Sequence, residues 1–188
     1  MAAKSNLVNM VACLFGVCLV CAAVLGGVYV LTEEPIKAAA EAEAKAAIAK
    51  VLPPEPADAQ ISEAQSKGEL EYYIQSVDST VIAYAVKSTV VGFGGPLTIM
   101  VGVLPDGTVY NTSVLAHLET PGLGAKCTEE ESAFRTQWKG YKGSFAVKKD
   151  GGDVDAITAS TITSRAYTKA VKQAVDLVSA LSSDNKEE

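Results

Sequence analysis

The sequence holds one histidine, His117, in 188 residues. A lone histidine with scattered acids is thin for a metal site, so none is expected. No Lys/Arg-rich run occurs and the net charge is −6. This speaks against a nucleic-acid partner. Three of the four cysteines, Cys13, Cys18 and Cys21, lie in an N-terminal apolar block, and Cys127 stands alone in the remainder. No disulfide framework is therefore expected. Cys18 and Cys21 lack the further ligands of a metal or iron–sulfur site and read as packing or lipid-facing residues. No GxSxG pattern surrounds a serine or Cys127, and no catalytic residue is assigned. No internal repeat is present.

What is present begins with the block Leu7 to Leu31, which contains no charge. It is longer than the about 20 residues that cross a bilayer core. A cleaved signal has a shorter apolar core followed by small residues, whereas Ala22-Ala23 sits inside this block. A retained transmembrane helix is expected. Lys4 precedes it and Glu33-Glu34 follow it. The positive-inside rule then puts the N-terminus in the cytoplasm and the main domain in the periplasm or outside. The expected divisions are an anchor over 1–31, a stalk helix over 32–56, a folded domain over 57–183 and a disordered tail over 184–188.

Thr32-Glu33-Glu34-Pro35 reads as a helix start, with Thr32 as cap and Pro35 in the first turn. The Ala/Glu/Lys-rich stretch that follows predicts helix to about Leu52, where Pro53-Pro54 stops it. From Leu70 the apolar period becomes two. Strands are expected over 70–77 and 80–87, joined at Asp78-Ser79, then from Leu97 to Val103 and from Thr108 to Leu115 across Pro105-Asp106-Gly107. Thr128-Glu129-Glu130-Glu131 has the pattern of a capping box, opening a short helix that carries Phe134 and Trp138 as core residues. A further strand is expected over 141–147. The last helix should run from Thr163 to Leu181, with one apolar face of Tyr167, Ala170, Val171, Ala174, Val175, Val178 and Leu181.

Just before that helix stands DAITASTITSR, Asp155 to Arg165. It carries hydroxyls at Thr158, Ser160, Thr161, Thr163 and Ser164. A threonine hydroxyl is a weak nucleophile unless activated. What the stretch offers is position, because free N–H groups and the positive end of the macrodipole favour an anion at a helix start. A phosphate on Thr161 would meet N–H groups around Thr163 and Ser164, with Arg165 nearby. The same hydroxyls also suit plain helix capping, and the residues alone leave both readings open.

This stretch resembles the flavinylation motif of the FMN-binding domain family. That family includes the G subunit of Rnf-type electron-transport complexes and the C subunit of sodium-pumping NADH:quinone reductases. Its pattern is Asp, two residues, Ser or Thr, Gly, Ala, Thr, one residue, Ser or Thr. Asp155, Thr158, Thr161 and Thr163 match it, while Ala159 and Ser160 stand where Gly and Ala are usual. Gly94 to Val109 looks like the family's central hairpin, and HLETPGLGAK, His117 to Lys126, like its second signature. The order of these parts matches across nearly the whole chain.

The resemblance implies an FMN joined through its phosphate to the oxygen of Thr161 by a phosphoester. A separate magnesium-dependent flavin transferase would install it from FAD, recognising Asp155 and Thr158. The implied cofactor-binding residues are Glu119, Thr120, Gly122, Leu123, Gly124, Ser160, Thr161, Thr163 and Ser164. Gly122 and Gly124 would let backbone approach a flat ring, Leu123 would lie against it, and Glu119 and Thr120 would bond its polar edge. The alternative for this loop is a rigid turn with Glu119 solvated. The expected fold is α+β: a transmembrane helix and a stalk helix followed by a twisted, mostly antiparallel sheet with packed helices. The implied function is electron carriage by covalent FMN in a membrane-bound Rnf-type complex of the bacterial inner membrane, coupling ferredoxin/NAD electron transfer to ion translocation, with the other membrane subunits as partners. The rivals are the C subunit of a sodium-pumping NADH:quinone reductase and a membrane-tethered scaffold protein without cofactor.

Overall fold

The computed structural model describes residues 7–54, 56, 59–78 and 80–184. Expectations resting on Lys4, on Ser79 and on the last four residues of the tail lie outside the described residues. The chain divides into two compact units, Met1–Ala42 and Glu43–Glu188. Helix α1, Leu7–Val51, runs across that division without a break.

In the first unit, α1 carries an 18-residue window of mean hydropathy 2.6, none of it buried. That is long and apolar enough to cross a membrane. No helix restarts at Thr32, contrary to the cap expected there. Thr32 Oγ1 instead donates back to the Val28 carbonyl at 2.8 Å. A threonine inside a helix can use the carbonyl four residues earlier in this way, so its hydroxyl does not distinguish a cap from an interior position. Pro35 lies inside the helix, where it lacks the N–H for one backbone bond. The exposed pair Glu33–Lys37, at 2.6 Å and one turn apart, supports the helix across that gap.

The second unit is built on one antiparallel sheet. Its strands are β1 (Gln60–Ile61), β2 (Gln65–Lys67), β3 (Leu70–Val77), β4 (Thr80–Val91), β5 (Pro96–Val103) and β6 (Val109–Ala116). The order is β1-β3-β4-β5-β6, with β2 also pairing β3. The four strands expected from alternation are all present. β1 and β2 are additions to that expectation, because two or three exposed residues carry no readable period.

Alternation along β4 and β5 separates two faces. Tyr84, Val86, Leu97, Ile99, Val101 and Val103 face the long helix α3, Thr161–Asp184, which covers them with Tyr167, Ala170, Val171, Ala174 and Val178. The opposite face presents Ala83, Ala85 and Met100 to Ala47, Ile48, Val51 and Leu52 at the end of α1. The small residues on that face let the helix approach closely. Phe134 and Trp138 belong to the α3-side core, Trp138 stacking on Tyr167 at 5.7 Å. Burial pushes the Tyr167 phenol up to about 12, and its hydroxyl donates to Thr112 Oγ1 at 2.8 Å.

Two local expectations are corrected. Thr128 caps no helix; its hydroxyl donates to the Ala125 carbonyl at 2.8 Å, within the tight turn Gly124–Thr128. Ser132 is the cap, accepting from the Arg135 N–H, and opens the short helix α2, Ala133–Thr136. Residues 141–147 form no strand. Tyr141 makes one bridge to Val109 and Val147 one to Val154. Between them Tyr141 folds over Gly143, its hydroxyl donating to the Ser144 carbonyl at 2.7 Å, which curls the segment.

A side chain at Gly102 would place its Cβ 1.8 Å from the Val51 carbonyl oxygen, where β5 passes under α1. Gly102→Ala is therefore expected to lower stability by about 1–3 kcal/mol. Urea unfolding of the full chain in detergent, followed through the single tryptophan, checks this. An unchanged midpoint would mean that the end of α1 does not rest on this face.

Candidate functional site

Three segments meet at the N-terminus of α3: the turn between β4 and β5, the loop that follows β6, and residues 157–164. They enclose a cavity of about 310 Å³. This is at the lower end of the range of about 300–1,000 Å³ for small-molecule sites. Phe93, Leu123 and Ile162 supply its apolar walls, and Glu119, Thr120, Ser160, Thr161 and Thr163 its polar ones.

Glu119 joins all three segments. It is 5% exposed. Its Oε1 accepts the Phe93 N–H at 2.8 Å, and its Oε2 accepts the Thr163 hydroxyl at 2.8 Å. A carboxylate so buried needs such donors, and the positive end of α3 favours it further. Two glycines leave room for it. A Cβ at Gly92 would lie 2.0 Å from Oε1, and one at Gly124 would lie 2.5 Å from Oε2 and 2.7 Å from Thr163 Oγ1. Glu119 is thus not a solvated residue on a turn. Cys127 lies buried close by, and burial, together with the Glu119 charge, pushes its thiol up to about 11.

The first turn of α3 is ordered by Ser164. Its hydroxyl donates to the Ser160 carbonyl at 2.9 Å and accepts the Ile157 N–H at 2.9 Å. Its own N–H bonds the Ser160 carbonyl at 3.0 Å, which makes this the first bond of the helix. The N–H groups of Thr161, Ile162 and Thr163 are left with no intrahelical acceptor. Thr161 is half-buried at the cavity wall, and its Oγ1 accepts from Lys149 Nζ at 3.2 Å.

Of the residues expected at the site, Glu119, Thr120, Leu123, Gly124, Ser160, Thr161 and Thr163 line one cavity. Gly122 does not; it is exposed, and its φ of +75° serves a turn instead of a close approach. Ser164 is buried with its hydroxyl and N–H already bonded, so it supports the helix start instead of a ligand. The open N–H groups are accordingly those of residues 161–163, not those around Ser164. Arg165 is also engaged elsewhere, donating to both Asp150 oxygens at 2.7 and 2.6 Å. Asp155 and Thr158 are exposed, Asp155 pairing with Lys148 at 2.7 Å. Phe93, Ile162 and Lys149 are further site residues that the sequence reading missed. Phe93 between two glycines was the readable sign of a ring held in a tight turn; Lys149 gave none.

Ala159 adopts φ +61°, the left-handed region that costs a side chain about 1–2 kcal/mol. Glycine would relieve that strain but lose more chain entropy on folding. Ala159→Gly is therefore expected to stabilise the protein by up to about 1 kcal/mol, read from the midpoint of denaturant unfolding. A loss of stability would show that the turn does not hold this conformation.

Residues 92–176 match the FMN-binding domain family. Over 186 residues the chain is 32% identical to the G subunit of the ion-translocating oxidoreductase complex of Pasteurella multocida, covering 90% of this chain and 92% of that protein. It is 40% identical over 115 residues to the G subunit of the proton-translocating ferredoxin:NAD(+) oxidoreductase complex of Clostridium ljungdahlii, covering 59% of this chain and 61% of that one. To the G subunit of the ion-translocating oxidoreductase complex of Escherichia coli K12 it is 43% identical over 115 residues, covering 57% and 56%. The matched stretch thus spans less than two thirds of the length of these last two relatives. Among solved structures, the C subunit of a sodium-translocating NADH–quinone reductase from Parabacteroides distasonis has 28% identity and a TM-score of 0.45, covering 55% of this chain and 58% of that one. By its near full-length match to one such G subunit, and with the glycine turn, Glu119 loop and threonine stretch gathered around one cavity, this chain belongs to the FMN-binding-domain family of G subunits from ion-translocating oxidoreductase complexes.

Proposed function

We propose that this chain carries one FMN, bound covalently through its phosphate to Thr161 Oγ1, and serves as an electron-carrying subunit of an Rnf-type membrane complex. The observation that carries the reading is the position of Thr161. Thr161 stands at the wall of a cavity with apolar sides, in a first helical turn whose N–H groups have no intrahelical acceptors. An ester-linked phosphate there would take those N–H groups, as anions do at helix starts. The flavin supplies the electron chemistry when bound.

The protein's residues do the rest. Phe93, Leu123 and Ile162 offer apolar contact and exclude water from a ring. Thr120 and Ser160 present polar atoms at the cavity wall. Glu119 accepts bonds from two segments and holds the walls at a fixed spacing. The exposed Asp155 and Thr158 suit recognition by a flavin transferase that uses FAD as donor. Covalent attachment suits a domain outside the cytoplasm, where a dissociated cofactor would be lost. On this reading α1 is a single span of the bacterial inner membrane, with the N-terminus inside and the second unit outside. In the complex, the chain would pass electrons between neighbouring cofactors on the path between ferredoxin and NAD, coupled to ion translocation.

Co-expression with a flavin transferase should give a band that fluoresces under ultraviolet light on a denaturing gel, and Thr161→Ala should abolish it. A dark wild-type band would remove the flavin assignment. A fluorescent Thr161→Ala band would move the attachment to another residue.

A further inference from the structure

The turn Lys148–Asp150 carries three charges in succession. Two are tied to partners. Lys148 pairs with Asp155 at 2.7 Å, and Asp150 receives Arg165 through both oxygens at 2.6 and 2.7 Å. Lys149 forms no ion pair among the described residues, and its ammonium lies 3.2 Å from Thr161 Oγ1. It donates to a neutral hydroxyl.

The surrounding contacts make that placement firm. Val147, 1% exposed, roots the turn in the core and bridges Val154. The Asp150 N–H bonds the Val147 carbonyl at 2.8 Å and closes the turn. Arg165 stands one helical turn beyond Thr161, so its clamp on Asp150 fastens the turn to the first turn of α3. Lys149 is thereby held over the same helix end that leaves the N–H groups of residues 161–163 open.

We propose that Lys149 is a phosphate-binding residue for the modified Thr161. This rests on the covalent-flavin reading above. A phosphodiester keeps one negative charge after the ester forms. Lys149 and the N–H groups at the start of α3 would hold that charge. A charge-assisted bond of this kind is about twice as strong as a neutral one. Before modification, the ammonium donates to Thr161 Oγ1. Arg165, the cation that the sequence suggested for this task, is committed to Asp150 and acts at one remove, by fixing the turn.

The test uses the full chain in detergent with purified flavin transferase, FAD and magnesium. Lys149→Met should slow the appearance of in-gel fluorescence by about tenfold, and Lys149→Arg should restore the rate to within about twofold. The ³¹P resonance of the loaded Lys149→Met protein should differ from that of wild type. Thermal unfolding of the unloaded variants should match wild type, since Lys149 is exposed and makes no ion pair among the described residues. Loading of Lys149→Met at the wild-type rate overturns the proposal. Slow loading with an unchanged ³¹P resonance also overturns it, because the lysine would then serve the transferase and not the phosphate. Failure of Lys149→Arg to recover would contradict a role carried by charge. These outcomes leave Thr161 as the attachment point; only an unloaded wild type or a loaded Thr161→Ala removes that reading, and this proposal with it.

Discussion

The carboxylate of Glu119 is the contact on which the site depends. It brings no reactive chemistry of its own. It accepts one bond from the turn between β4 and β5, 26 residues back, and one from the first turn of α3, 44 residues on. Removing either donor would leave a buried charge underpaired, which is among the costliest changes a fold can suffer. The small residues nearby follow from this. Gly92 and Gly124 have no Cβ because the carboxylate occupies that space. The cavity is the room left between elements that Glu119 holds apart and together at once.

A second layer of order comes from the helix start. Ser164 and Ser160 fix the geometry of residues 157–164, including an alanine in a left-handed conformation at 159. The strained turn sets Thr161 at the cavity wall, while the helix leaves its first N–H groups without intrahelical acceptors. Strain of this kind is common where a structure must present one atom accurately. The hydroxyl-rich stretch therefore divides its labour. Ser164 builds the helix end, Thr163 anchors Glu119, and Thr161 remains available.

Much of the fold was legible in the sequence because its core strands alternate cleanly and α3 has one apolar face. β4, β5 and α3 show this directly, since residues spaced by two or by three and four are the ones buried together. The parts that were not legible share a physical cause: their structure is decided by partners that local pattern does not reveal. Thr32 looks like a cap locally, but the preceding turn offers it a carbonyl. Thr128 loses its expected role to the tight turn that follows the Glu119 loop. Residues 141–147 have strand-forming side chains, yet their pairing with β6 ends at the single bridge Tyr141–Val109, and the Tyr141 hydroxyl turns back to Ser144. At the site, the threonine stretch and the ETPGLG loop were readable as motifs. Which hydroxyls face the cavity was not, because Ser164 and Thr163 are assigned by bonds to Ile157, Ser160 and Glu119. Lys149 was invisible for the same reason: its contact with Thr161 is made from a turn that the Asp150–Arg165 pair ties to α3.

On the proposed reading, a membrane-length helix, a sheet and a helix end together make a carrier whose cofactor cannot leave. The proposed carrier is defined by one bond, between Thr161 Oγ1 and a flavin phosphate. The most direct measurement is mass mapping of the tryptic peptide Asp150 to Arg165 from protein matured with the transferase. This peptide should gain the mass of one FMN less one water, with fragment ions placing the addition on Thr161. An unmodified peptide, or an addition on Thr158, Ser160, Thr163 or Ser164, would contradict it.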